Sequence, residues 1–193
     1  IGTSRANEFC KQLISDYNAG VYYFDFNKTT GDADALFNTL KSKYKKIIVG
    51  IHNVSRYPGS NFGISKAAAQ LVNRLQNETE SILFLFGNAY AAKNFCNAKN
   101  MVICYEDDAI IQNTAVEFLK GNLEYKGVLP VRVCEKFNYG FGETTHTSLK
   151  FSTDPFNPTP GFDAAKMAAI DSIANDAIAR KATAGCVGMV VKS

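Results

Sequence analysis

KKIIVGIHNVSRYPGSNFGIS, residues 45–65, begins as a strand and turns abruptly polar. Ile47, Ile48, Val49 and Ile51 leave neither face of that strand for water, whereas a half-exposed strand would alternate apolar and polar residues. SILFLFG (81–87) repeats the pattern, and MVICY (101–105) reads as a third strand. Helical periodicity fills the gaps. Ser65 is placed to cap a helix that buries Ala68, Leu71, Val72 and Leu75, and a short helical stretch runs from Tyr90 to Phe95. A last clear helix runs from about Ala109 to Lys120 and stops at Gly121, a residue free to turn left-handed.

Upstream, SRANEFCKQLISDYNA predicts a helix with Phe9, Leu13, Ile14 and Tyr17 on one face and Thr3 or Ser4 as N-cap. VYYFDF (21–26) predicts a strand. DADALFNTLKSKY predicts a helix capped by Asp32, with Leu36, Phe37, Leu40 and Tyr44 inward. Strands buried on both faces and alternating with helices define the α/β class. The expected architecture is a three-layer α/β/α sandwich around a mainly parallel, flavodoxin-like sheet. In a doubly wound sheet the first strand is central, and IGT at the start reads as the tail of such a strand.

Downstream the character changes. Pro130 makes VLPVRV an edge strand or an extended segment. ETTHTSLKFSTDPFNPTPGF holds three prolines among threonines and serines, so residues 143–162 read as a linker. DAAKMAAIDSIANDAIARKA then predicts a helix burying Met167, Ile170, Ile173 and Ile178. GCVGMVV after it is a lone strand, a candidate to fill the place of the missing first one.

Composition narrows the function classes. The 193 residues are 46% hydrophobic and 20% charged, with a formal net charge of +3. The lysines are scattered and form no basic stripe interleaved with aromatics, which argues against nucleic acid as a partner. No run approaches the roughly 18 apolar residues of a membrane span. The cysteines at 10, 96, 104, 134 and 186 show no CxxC and no histidine at zinc-ligand spacing, so buried free thiols are expected rather than a disulfide framework, and no metal. GxxxxGK[ST] and GxGxxG are absent, and no cofactor is expected. Ser42 to Lys45 match SxxK but close a helix, whereas an acyl-transfer serine opens one.

In open parallel sheets the ligand crevice lies outside the carboxyl ends of the strands. Those ends carry Asp25 with Asn27, His52 with Asn53, then Asn88, then Glu106 with Asp107 and Asp108. The loop after His52 adds Ser55 and Arg56, stiffened by Tyr57-Pro58-Gly59. Loop residues are commonly polar, and Asp107 or Asp108 also suits the N-cap of the following helix. His52, Asn53, Ser55, Arg56, Asn88, Glu106 and Asp107 are the candidates for contacting a substrate or an interface.

Four stretches in order, IIVGIHNVSRYP, LFLFGNAYAAKNF, VICYEDD and GVLPVRVCEKFNYGFG, resemble the second, α/β-sandwich domain of family 3 glycoside hydrolases. The resemblance covers residues 1–142 and is nearest the branch acting on β-linked N-acetylhexosamines. Residues 163–193 resemble the opening helix and strand of a serine β-lactamase-like domain, a pairing known as a fusion. The resemblance implies a preceding (β/α)8 barrel and a following β-lactamase-like domain as partners, a carbohydrate substrate, and a bacterial parent of the periplasm or cell envelope. It also implies that the nucleophile, and in this branch the histidine acid/base, belong to the barrel. Glu106 and Glu143 are the nearby glutamates, but neither matches a motif that would carry an acid/base role. The chain on its own is therefore expected to be inactive. The alternative from another class is a flavodoxin-like small-molecule binding or interaction module.

Overall fold

The computed structural model describes residues 1–143 and 164–183, the first five of the latter by backbone alone. The chain forms two compact units, Ile1–Leu149 and Lys150–Ser193.

The first unit contains α1 (Glu8–Tyr17), α2 (Thr30–Lys43), β1 (Lys46–Ile51), α3 (Lys66–Glu78), β2 (Glu80–Leu85), β3 (Met101–Ile103) and α4 (Ala109–Leu119). The strands form a three-stranded parallel sheet in the order β1-β2-β3. Register runs from Lys46 opposite Glu80 to Ile51 opposite Leu85, and Leu83 pairs with Met101. The expected three layers are present. Ile47, Val49, Ile51, Leu83 and Leu85 point into one core with α2 and α3. Phe84 and Phe86 point the other way, into a second core with Phe9 and Leu13 of α1 and Ala115 and Val116 of α4. Each large apolar side chain so buried contributes about 2 kcal/mol.

Ile1 and Gly2 extend the sheet beyond β1. Ile1 N donates to Gly50 O at 2.8 Å, and Ile1 O accepts from His52 N at 3.0 Å, the bridge pattern of a parallel strand. On the other side Gly2 N donates to Phe24 O at 2.8 Å. Gly2 has φ +77°, and a Cβ there would strike the His52 carbonyl and the Phe26 ring. Counting the Phe24 segment and the Ile1 stub as strands gives the spatial order 2-1-3-4-5 of a flavodoxin-like sheet.

Several local expectations change. VYYFDF forms no strand ladder and turns at Phe26; among the described residues the Ile1–Gly2 stub runs beside it. Helix α1 is capped by Asn7, not Thr3 or Ser4, and starts later than predicted; Phe9 and Leu13 are buried as read, whereas Ile14 and Tyr17 stay about half exposed at 45% and 49%. Helix α2 is capped by Thr29, and Asp32 is the reciprocal partner in a capping box. Ser65 caps α3 and Asp108 caps α4 as read. Gly121 does turn left-handed, at φ +75°. The VLPVRV segment is irregular, bends at Pro130 and Val131, and is tied by Leu129 N to Phe141 O at 2.8 Å.

The cysteine expectation also fails in part. Cys96 and Cys134 form a disulfide, while Cys10 and Cys104 are free. The bond joins the 3-10 stretch after β2 to the irregular segment after Pro130, two regions without ladders to hold them.

In the second unit, α5 (Ala164–Ala179) forms where predicted. Ile170, Ile173 and Ile178 are exposed rather than buried, because among the described residues of this unit no second element covers that face. The linker, His146, the side chain of Met167, Cys186 and GCVGMVV lie outside the described residues or side chains.

Candidate functional site

The carboxyl ends of the strands converge on one hydrogen-bonded network, built around the turn after β3. Tyr105 adopts φ 64° there, and Asp107 leans back across the sheet. Its Oδ1 lies 2.8 Å from His52 Nδ1 and accepts from Gln112 Nε2 at 2.8 Å. Its Oδ2 accepts from the Asn53 backbone N–H at 2.8 Å. Asn53, itself at φ 57°, donates from Nδ2 to Gly2 O at 2.7 Å. Gln112 Oε1 accepts from Phe9 N at 3.3 Å. One carboxylate thus ties the stub, the β1 end and the start of α4 together, and through Gln112 reaches α1.

Burial pushes the Asp107 pKa up, but hydrogen bonds from His52, from Asn53 N–H and from Gln112, with the His52 charge, bring it net below its ordinary 3.8. Asp107 is therefore ionised at neutral pH, and His52 Nδ1–H is the donor toward it. The His52 ring is 3% exposed and stacks on Phe86 at 4.4 Å between centroids. Its Nε2 has no partner and lies over Gly50, where a Cβ would come within 2.7 Å. That nitrogen faces the second core, away from the rim. Cys104 beneath the rim is no nucleophile: burial, then the Asp107 charge, pushes its thiol up to about 12.

Ser55, Arg56 and Asn88 form the neighbouring part of the rim. Ser55 N donates to Phe62 O at 2.8 Å, and Ser55 Oγ accepts from Tyr57 N at 3.1 Å. Asn88 Nδ2 donates to Arg56 O at 3.0 Å, and its Oδ1 accepts from Tyr90 N at 3.0 Å. The loop then passes through three consecutive left-handed residues, Ser60, Asn61 and Phe62, which bury the Phe62 ring. Left-handed residues on this rim (Asn53, the Ser60–Phe62 run, Tyr105) are costly outside glycine and collect where a loop shape is over-determined by its surroundings. Arg56 and Tyr57 stand exposed above it.

Glu106 is exposed and does not join the network. Asp25 turns its own loop, accepting from Asn27 N at 3.2 Å. Glu143 is exposed at the end of the described stretch. The sequence reading missed Gln112 and Gly2. Gln112 carries a signal: a polar residue set on the face of α4 that Ala115 and Val116 bury. Among the described residues, no group of three or more metal-ligating side chains occurs and no helix is long and apolar enough to cross a membrane.

Compared with known proteins, the chain matches no family model, no curated protein and no solved structure.

Proposed function

We propose that the first unit is a non-catalytic accessory part of a glycoside hydrolase cleaving β-linked N-acetylhexosamine (or β-glucoside) units, bracing or lining the active site of a (β/α)8 barrel. The observation that carries this reading is the wired rim: Asp107 holds His52 and Asn53 from across the sheet, while Arg56, Tyr57 and Glu106 stand free above them. A backbone held this firmly presents its exposed groups in one geometry, which suits holding a sugar hydroxyl or a partner domain through charge-assisted bonds. The class of substrate comes from the four family 3-like stretches.

The same geometry speaks against chemistry by this chain alone. Retaining glycosidases need a nucleophile and an acid/base about 5 Å apart when both are carboxylates. Asp107 is consumed by its hydrogen bonds, His52 turns its free nitrogen inward, and Glu106 is an exposed carboxylate outside the hydrogen-bonded network. The purified chain, assayed on an aryl β-N-acetylglucosaminide beside its E106A/D107A variant, is expected to release no phenol. Turnover that vanishes in the variant would make the unit an enzyme in its own right and end the accessory reading.

A further inference from the structure

A cavity of about 820 Å³ opens along the free edge of β1. One wall is the backbone of Lys46–Gly50; the opposite wall is Val21–Phe24; Phe9, Leu13 and Tyr17 of α1 lie over one face, and Leu36, Leu40 and Tyr44 over the other. The Ile1 stub closes its far end. Single waters occupy about 30 Å³, so this is room for a chain segment rather than a packing defect. Its rim leaves Tyr17, Tyr22, Tyr23 and Ile48 more than a third exposed, an unusual concentration of apolar surface.

We propose that this slot is the seat of a central β-strand: an extended run of about five residues, apolar on consecutive positions, running parallel to β1 and joined to the nitrogen of Ile1. The register is already set. Ile1 bridges Ile51 through Gly50 O and His52 N. In a parallel ladder the same bridge recurs every second residue, opposite Val49 and Ile47. The groups it needs, Gly50 N–H, the Ile48 C=O and N–H, and the Lys46 C=O, face the slot, and among the described residues Lys46–Val49 pairs with β2 alone. Five positions at about 3.3 Å each reach from Ile1 back to Lys46. Residues between those bridges face Val21–Phe24, as Gly2 N already does toward Phe24 O. Because helices stand over both faces, the strand must be apolar throughout rather than alternating.

Ile1 already stands in the register of that ladder, with its nitrogen on Gly50 O at 2.8 Å and its carbonyl on His52 N at 3.0 Å, so a run continuous with Ile1 fits better than a separate peptide. This inference stands on the sheet edge and does not depend on the glycosidase reading.

The test compares the chain with three versions extended at Ile1: Val-Ile-Val-Val-Ile, the same run with proline at the positions opposite Val49 and Ile47, and Gly-Ser-Gly-Ser-Gly. Proline removes the donors those bridges require. Backbone hydrogen exchange at Ile48 and Gly50 and the thermal midpoint are read for each. The apolar extension should slow both amides at least about tenfold and raise the midpoint by about 5 °C, and neither control should do so. Equal behaviour of all three extensions would overturn the proposal. So would protection of Ile48 and Gly50 in the unextended chain, since another segment or a second copy would then hold the slot.

Discussion

Asp107 lies 55 positions from His52, and the two meet because β1 and β3 flank β2 and deliver their carboxyl ends to the same rim. The carboxylate is half-buried and serves as acceptor for a ring N–H, a backbone N–H and a side-chain amide. Replacing it by Asn keeps the size but puts an amide where donors already point, leaving one of them unmatched in a dry site. Asp107→Asn should cost about 2 kcal/mol, measured by denaturant unfolding. Its acid dependence should change as well. A carboxyl held below its unfolded pKa adds stability above the unfolded value, and that stability is lost as pH falls through the lower native value. Wild type should therefore shed this part of its stability below pH 3.8, and the Asn variant should lack that component. Loss of the same amount at every pH would mean that the charge contributes nothing.

At the level of elements, the helices and strands were legible because double burial writes consecutive apolar residues into β2, and amphipathic spacing writes α3; β1 carries the same apolar run, but Ile48 is exposed at its edge rather than buried as expected. The elements that failed depend on distant partners. VYYFDF has good strand chemistry, but a ladder needs a neighbour, and among the described residues only Ile1 and Gly2 lie beside it. Thr3, Ser4 and Asn7 are all able caps, and choosing among them needs the docking of Phe9 against Phe84 and Phe86. Cys96 and Cys134 carry no spacing signal because both sit in irregular chain. Their bond closes a separation of 38 residues, for which the chain-entropy account gives about 4 kcal/mol. Cys96→Ser should therefore lower the thermal midpoint of the oxidised protein by several degrees, and reductant should bring wild type to the same value. A midpoint insensitive to reductant would show that packing alone holds the Leu129–Phe141 segment.

For the whole molecule, the layered α/β order followed from the sequence, and so did the gathering of His52, Asn53 and Asp107 at the carboxyl ends of the strands. What the sequence could not supply was the direction of each side chain. His52 stands at the strand end as read, yet its ring turns under the rim onto Phe86, and Asp107 is spent holding it. What stays exposed on the rim is Arg56 with Tyr57 and Glu106, which the proposed reading assigns to a partner domain or a sugar. The account's central claim is that this rim meets a β-linked N-acetylhexosamine without cleaving it. The most direct measurement is one NMR experiment on isotope-labelled chain incubated with an aryl β-N-acetylglucosaminide at millimolar concentration. The account predicts an intact glycoside throughout, with shifts confined to Asn53, Arg56, Tyr57 and Asn88 that vanish in Arg56→Ala. Hydrolysis of the glycoside, or rim resonances indifferent to it, would contradict the account.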